Sequence, residues 1–224
     1  MNAASTLRPE QTLSEMATHL PGASRVFHRH RLDFCCGGQR SLTEACAARG
    51  LDPALILAEL RAEEGQGPAI DWSQRPLAEL IDHILTRYHT PLRAELPRLR
   101  DMAAKVERVH ADKSTCPRGL AEHLGRVIDA VEDHLKKEER VLFPLIAAGQ
   151  GPAAGMPVMV MEREHVEHAD DLRRTRALTG DLTPPPEACA TWRALYLGLA
   201  QLERELMDHI HLENNVLFPR ALER

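Results

Sequence analysis

The amino-acid sequence predicts an all-α protein, in which a four-helix bundle is preceded by a small helical domain. Composition gives the first reason: 43% of the 224 residues are hydrophobic, only 4% are aromatic, and the helix formers Ala, Leu, Glu and Arg dominate. Runs rich in Val, Ile and Thr at strand length are missing. Four long helical segments with short connections follow the N-terminal region, which is typical of a bundle.

Residues 1–66 are expected to form the small domain. Ser41 and Glu44 have the spacing of a capping box, which predicts the start of a helix. The Cys-Cys-Gly-Gly sequence at 35–38 is interpreted as a loop because paired glycines favour turn conformations. The Gly- and Pro-containing stretch at 65–68 is the predicted linker. A domain of this size has little core, so we expect it to lean on the second domain or on a partner.

Residues 71–224 are expected to form the bundle. Its four helices are predicted at about 76–111, 118–146, 157–178 and 187–221. Prolines 91 and 97 predict kinks in the first of them. A turn at 149–155 and a stiff proline-rich loop at 183–186 complete the predicted connections.

The second and fourth predicted helices share a motif. His134 is followed by Glu138, His209 is followed by Glu213, and each pair is followed by Leu-Phe-Pro at the same distance. Residues four apart lie on one face of a helix, and each pair falls within an apolar stripe. A buried carboxylate is costly unless it is paired or bound to a cation. Two such carboxylates facing each other in a bundle therefore predict a pair of metal ions.

The other two helices offer further histidines. His165 lies near the centre of the apolar stripe of the third helix, and His168 on its flank is a competitor. His83 and His89 lie on opposite edges of the stripe of the first helix, and periodicity does not choose between them. Four imidazoles and two bridging carboxylates suit a di-iron or di-manganese centre, and the His-rich set favours iron.

These motifs resemble the hemerythrin-like domain of the RIC proteins (repair of iron centres, the YtfE/ScdA group). Besides the two His-x-x-x-Glu pairs, the resemblance rests on the sequences at 81–84, 106–112, 162–165 and 183–189. The Asp-Phe-Cys-Cys-Gly-Gly sequence at 33–38 is similar to the ScdA-type N-terminal domain of that family.

The resemblance implies a non-haem di-iron centre. Its iron ligands would be His83, His134, Glu138, His165, His209 and Glu213. The resemblance thus selects His83 over His89. It also implies that Glu138 and Glu213 bridge two iron ions, with an oxo or hydroxo bridge completing the centre.

The function implied by the resemblance is the repair of iron–sulfur clusters damaged by nitric oxide or peroxide. The partners would be proteins with damaged clusters, with nitric oxide or oxygen as a small ligand. The centre would either donate labile iron or reduce nitric oxide to nitrous oxide, so an enzymatic activity stays open. The alternative is a non-enzymatic sensor or binder of nitric oxide, oxygen or iron. No signalling motif is visible, and the cysteine-containing domain fits repair better. A homodimer would fit the small N-terminal domain.

Three further residues are candidates for chemistry. Adjacent Cys35 and Cys36 can form a strained disulfide or present two thiolates to a metal or nitrosyl group. We interpret them as an exposed functional pair whose thiolates are favoured by flanking Arg31 and Arg40. Glu164 either lines an access route to the iron centre or is a surface carboxylate.

The remaining cysteines are interpreted as structural. Cys46 falls inside a predicted helix, and Cys116 and Cys189 lie near predicted helix starts. Because the five cysteines are odd in number and two are adjacent, a secreted disulfide framework is not expected.

Charge and hydropathy limit the function classes. The formal net charge is -5 and the basic residues are dispersed, so neither nucleic acid nor an anionic membrane is an expected partner. No apolar run reaches the length of a membrane span, and the N-terminus lacks the apolar region of a signal peptide. A cytoplasmic location is the resulting expectation.

Overall fold

The computed structural model describes residues 7–63 and 70–223, and the predicted linker at 65–68 lies outside the described residues. Every regular element within those ranges is a helix, and the β pairing in them is limited to an isolated bridge between Thr12 and Ser41. The all-α prediction is confirmed.

The chain forms two compact units. The first consists of the residues up to Pro76 together with Met207–Arg220, and the second consists of Leu77–Leu206 and the residues from Ala221 onward. The predicted domains, 1–66 and 71–224, follow the order of the chain. The compact units differ from them, because a segment near the C-terminus packs with the N-terminal residues.

Four short helices form the N-terminal part of the first unit. They are α1 (Leu13–His19), α2 (Ala23–His30), α3 (Leu42–Ala47) and α4 (Pro53–Glu63). The predicted capping box is present, since the Ser41 hydroxyl accepts from the amide of Glu44 and the Glu44 carboxylate accepts from the amide of Ser41. These reciprocal bonds satisfy amides that a helix start leaves without partners.

The core of the first unit is built from buried apolar side chains of these helices and of the loop between α2 and α3. They include Leu13, Met16, Val26, Phe27, Phe34, Leu42, Ile56 and Leu60. Met207 packs against this core. Gly38 allows the loop at 35–38 to close, because a Cβ atom there would collide with the carbonyl oxygen of Phe34.

Long helices follow, and most of them lie in the second unit, whereas the segment Met207–Arg220 belongs to the first. The elements from residue 77 onward are α5 (Leu77–Ile84), π1 (Leu85–His89), α6 (Thr90–Val109), α7 (Leu120–Lys137), π2 (Glu138–Leu142), α8 (Phe143–Ala147), α9 (Gly151–Leu178), α10 (Ala190–Leu212), π3 (Glu213–Leu217) and α11 (Phe218–Leu222). The third long helix, α9, begins at Gly151 rather than near 157. The reason is that Pro152 occupies its first turn, where the missing amide proton costs nothing.

The second unit has an apolar core along the inward faces of its long helices. Leu92, Leu96, Leu99, Leu124, Val127, Val131, Leu195, Leu199, Leu202 and Leu206 are all buried. These residues recur at three- and four-residue intervals along their helices, so each helix turns one apolar face inward.

Three π turns interrupt the helices, and each is followed at once by a residue that precedes a proline. Thr90, Phe143 and Phe218 donate their amides to the carbonyls five residues earlier, and Pro91, Pro144 and Pro219 come next. Proline lacks an amide proton and its ring clashes with the carbonyl four residues before it. A wider turn ahead of the proline lets the helix continue. Such turns are frequent at functional sites.

Candidate metal centre

Three helical segments of the second unit bring four metal-ligand side chains together. His89 ends π1, His134 lies in the last turn of α7, Glu138 begins π2, and His165 lies in the middle of α9. All four are at most 2% exposed. Groups of this kind are rarely buried without a compensating charge or hydrogen bond.

Glu138 stands between two imidazoles. Its Oε2 lies 3.4 Å from Nε2 of His89, and its Oε1 lies 3.4 Å from Nε2 of His134. Nε2 of His165 is in turn 3.1 Å from Nε2 of His134. Within the described residues no group donates a hydrogen bond to either oxygen of Glu138. A fully buried carboxylate in that condition is strongly destabilised unless a cation binds it, so the residues fit a metal site.

The first unit contains a pair of the same kind. Nε2 of His209 lies 3.0 Å from Oε1 of Glu213, and both side chains are buried. Glu213 begins π3 as Glu138 begins π2. The repeated sequence motif therefore corresponds to a repeated local structure.

Two carboxylates, Glu164 and Glu139, orient the imidazoles of His134 and His89. Nδ1 of His134 donates to Glu164 at 3.0 Å, and Lys137 donates to the same carboxylate at 2.5 Å. Burial alone would raise the pKa of Glu164, but the bonds from Lys137 and His134 lower it below its usual value. The ionised carboxylate fixes the proton on Nδ1 and leaves Nε2 as the ligand atom. From the sequence, Glu164 is expected either to line an access route to the iron centre or to be a surface carboxylate. In the structure it contacts Nδ1 of His134, on the side of the ring opposite to Glu138.

Glu139 has the corresponding role for His89. Nδ1 of His89 donates to Glu139 at 2.8 Å, and Arg93 donates to both oxygens of Glu139 at 2.7 and 3.2 Å. Burial favours the neutral acid, yet hydrogen bonds from Arg93 and His89 hold the pKa of Glu139 below its ordinary value. Nε2 of His89 therefore points toward Glu138.

The structure brings His89, and not His83, to the group of ligand atoms. His83 is only half-buried, and its ring lies edge-on against Tyr88 with 5.8 Å between the ring centroids. The physical reason is π1, which adds a residue to the turn and shifts the helical phase, so that neighbouring Tyr88 and His89 are both buried. His89 therefore takes the place of the expected His83 in the ligand set proposed below.

Of the two histidines considered on the third helix, His165 is the one that reaches the other ligand atoms. His168 is also buried, but its ring lies edge-on against the ring of His134 at 4.9 Å between centroids. It packs on the face of an imidazole rather than beside the carboxylate of Glu138.

The cysteine pair is less exposed than expected. Cys35 is only 3% exposed and Cys36 is partly buried, and their sulfur atoms are 3.8 Å apart as free thiols. The hydrogen bond with Cys36, followed by burial, raises the pKa of Cys35 well above its usual value. The expected pair of exposed thiolates is thus replaced by a protonated, buried Cys35. Asp33 lies 3.4 Å from its sulfur and accepts from the amide of Cys36.

Two asparagines that sequence reasoning missed hold this cysteine loop. Asn214 donates to the carbonyl of Cys35 at 3.3 Å, and Asn215 donates to the carbonyls of Phe34 and Cys35 at 3.3 and 3.2 Å. A signal was available in the repeat. The position after Glu138 is Glu139, whereas the position after Glu213 is Asn214. The two copies of the motif therefore differ at a residue whose partners differ. Glu139 contacts His89 and Arg93, whereas Asn214 contacts the cysteine loop.

Comparison with known proteins identifies the family. Residues 80–221 match the hemerythrin HHE cation binding domain, and residues 9–64 match ScdA_N, a domain of unknown function. The chain is 48% identical over 213 residues to iron-sulfur cluster repair protein YtfE of Shigella boydii serotype 4, Escherichia coli O8 (strain IAI1) and E. coli (strain K12 / DH10B). The match covers 95% of this chain and 97% of each relative.

The chain belongs to the YtfE-type family of iron–sulfur cluster repair proteins. The resemblance inferred from the motifs and the predicted fold class are both confirmed: a hemerythrin domain follows a helical ScdA_N region. The cation binding domain of the YtfE-type family contains all the buried histidines and glutamates described above. In the described part of the chain, no helix is long and apolar enough to span a membrane.

Proposed function

We propose that this chain repairs iron–sulfur clusters damaged by nitrosative or oxidative stress, using a non-haem di-iron centre. The observation that carries the proposal is Glu138, a fully buried carboxylate placed between two imidazoles with no hydrogen bond to either oxygen among the described residues. The printed name of the relatives, iron-sulfur cluster repair protein, supports the same function.

The proposed ligands are six side chains: His89, His134, Glu138, His165, His209 and Glu213. Glu138 and Glu213 are the proposed bridges, because a carboxylate can bind two ions through its two oxygens, and each oxygen of Glu138 faces a different imidazole. The donor set is imidazole and carboxylate without thiolate, which suits iron in a helical bundle better than structural zinc. An oxo or hydroxo group would complete the bridge.

When bound, the two irons supply redox chemistry toward nitric oxide or oxygen and a store of iron for a damaged cluster. The side chains of this protein contribute orientation and exclusion of water. Glu164 and Glu139 hold the Nδ1 protons of His134 and His89. The surrounding apolar residues keep water from the carboxylates, which strengthens their attraction for a cation. Both repair by iron donation and reduction of nitric oxide to nitrous oxide use this arrangement.

An iron count with matched variants tests the ligand set. His89→Ala should lose iron after anaerobic reconstitution, because the variant removes a ligand beside Glu138. His83→Ala is the control, since it makes the same change six residues away on a side chain outside the ligand group. Iron loss in His83→Ala with full retention in His89→Ala would overturn the ligand assignment.

A repair assay tests the function itself. The reduced, iron-loaded protein is mixed with an enzyme whose iron–sulfur cluster has been nitrosylated, and enzyme activity and headspace nitrous oxide are followed. Recovery of activity supports repair, and nitrous oxide formation in the absence of the client assigns the reduction to this protein. If an iron-loaded protein gives neither recovery nor nitrous oxide, repair is wrong and sensing or binding of nitric oxide, oxygen or iron is the better account.

A further inference from the structure

The second unit brings together two sequence motifs that have no part in the candidate metal centre. His110 follows the last residue of α6, and Cys189 precedes the first residue of α10. Nε2 of His110 lies 3.3 Å from the sulfur of Cys189. A second contact joins the same segments, since the hydroxyl of Thr115 donates to Glu187 at 2.6 Å. The stretches 106–112 and 183–189 thus place a thiol and an imidazole within hydrogen-bond reach.

We propose that Cys189 and His110 form a thiol–disulfide exchange site that reacts with low-molecular-weight disulfides. A nucleophile, a base within hydrogen-bond reach and a third group that supports the base form the usual arrangement for an activated thiol. Cys189 is the nucleophile, His110 is the base, and the ring of Trp192 supports the base. The site would allow the protein to be modified reversibly when the disulfide content of its surroundings rises.

Accessibility separates Cys189 from the other cysteines. The structure describes all five, and of these only Cys189 is exposed. Cys46 and Cys116 are buried, and burial raises the pKa of each of these thiols. Cys35 is buried beside Cys36. The interpretation of Cys189 as a structural residue does not suit an exposed thiol whose contact is an imidazole nitrogen.

His110 packs against a buried aromatic ring. Its ring lies 5.0 Å from the ring of Trp192, which is fully buried and therefore fixed. Glu187 is an ionised neighbour: hydrogen bonds, the one from Thr115 first, lower its pKa, and the charges of Lys113 and His110 act in the same direction. The packed ring keeps Nε2 of His110 directed at the sulfur of Cys189.

The proposed reaction is balanced without a metal. His110 takes the proton of the Cys189 thiol, and the thiolate attacks one sulfur of the disulfide. A new sulfur–sulfur bond to Cys189 forms as the bond within the small disulfide breaks. Cys189 is oxidised, the departing half of the disulfide is reduced to a thiolate, and that thiolate takes the proton from His110. A second small thiol reverses the modification.

Oxidised glutathione is the probe for the test, and mass spectrometry of peptides locates and times the adduct on the full chain. The expected result at neutral pH is modification of Cys189 about tenfold faster than the same cysteine in urea-unfolded protein. His110→Gln should reduce the rate in the folded protein about tenfold and should shift its pH profile toward that of the unfolded chain. Cys189→Ser should abolish the adduct on that peptide.

The controls separate chemistry from folding. Thermal unfolding of His110→Gln should match wild type, and Thr115→Val, which releases Glu187 but keeps the dyad, should slow the exchange less than His110→Gln does. Equal rates in folded and unfolded wild-type protein, or an unchanged rate in a folded His110→Gln variant, would overturn the proposal. None of these measurements involves iron, so the outcome is independent of the proposed repair function.

Discussion

Glu138 is the residue on which the candidate centre depends. Its side chain is fully buried, and each of its oxygens faces an imidazole nitrogen at 3.4 Å rather than a hydrogen-bond donor at normal distance. Leaving a buried carboxylate in that state costs several kcal/mol, on the order of the stability of a small domain. Cation binding removes this cost, so Glu138 favours the metal-bound state of the protein.

Glu139, the next residue, contacts a different candidate ligand, His89. Glu139 is neither a second candidate metal ligand nor a surface charge, because it accepts from His89 on one side and from Arg93 on the other. Arg93 also donates to Glu132 at 2.8 Å. The guanidinium therefore holds two carboxylates, and only one of them touches a candidate ligand.

Glu139→Gln should weaken iron binding without unfolding the protein. The amide no longer fixes the Nδ1 proton of His89 as an ionised carboxylate does, and loss of such partners lowers metal affinity about 10- to 100-fold. Competition with an iron chelator measures the effect. Glu132→Gln removes the other partner of Arg93 and serves as the control, with affinity close to wild type. Equal affinities in both variants would show that Glu139 does not position His89.

At the scale of elements, each π turn contains a proposed ligand and is followed by a proline. His89 ends π1, Glu138 begins π2 and Glu213 begins π3, and a proline follows two residues after each turn. An extra residue in a turn rotates everything beyond it by about 100° relative to a regular helix. The Leu-Phe-Pro part of the repeated motif therefore belongs to the site as much as the His-x-x-x-Glu part does.

Pro91→Ala should reduce iron binding although residue 91 is no ligand. Alanine restores the amide proton, which allows π1 to revert to a regular turn and to rotate His89 away from Glu138. Pro97→Ala is the matched control, because Pro97 lies further along the same helix, α6, and regular α-helix rather than a π turn comes directly before it. Iron stoichiometry and the visible spectrum of the reconstituted proteins provide the measurement. Full iron retention by a stable Pro91→Ala variant would contradict the role given to π1.

The π turns also explain what the sequence could and could not predict. The His-x-x-x-Glu pairs and His165 follow from regular periodicity, because each lies in an apolar stripe before any turn shifts its phase. His89 does not, since the stripe through Ile84 and Tyr88 assumes a regular helix where π1 adds a residue. Contacts between residues distant in sequence, such as Asn215 with the carbonyl of Cys35, leave no periodic pattern in either segment.

At the scale of the whole molecule, the segment Met207–Arg220 belongs to the first compact unit. It carries His209 and Glu213, and it contacts the N-terminal helices through several polar groups. Asp208 lies 3.3 Å from Nε2 of His28, and Arg220 donates to the carbonyls of Trp72 and Arg75 at 2.7 Å. The ScdA_N region thus stabilises the part of the chain that holds two of the proposed ligands.

The asparagine contacts give this coupling a direct test. Asn214→Ala with Asn215→Ala removes three hydrogen bonds to the carbonyls of Phe34 and Cys35. Each such bond contributes about 1 kcal/mol, and 1.4 kcal/mol is a factor of ten in an opening equilibrium. Alkylation of buried Cys35 should therefore accelerate by about tenfold or more, as followed by peptide mass spectrometry.

The same variant should release iron faster, because both asparagines lie in π3 directly after Glu213. Gln39→Ala is the control: its contact with Asn215 is long, at 3.5 Å, so its loss should change neither rate. Faster alkylation with unchanged iron release would confine the coupling to the cysteine loop. No change in either rate would show that the asparagines do not hold the loop, and that the N-terminal core alone, through contacts such as Met207, stabilises the segment.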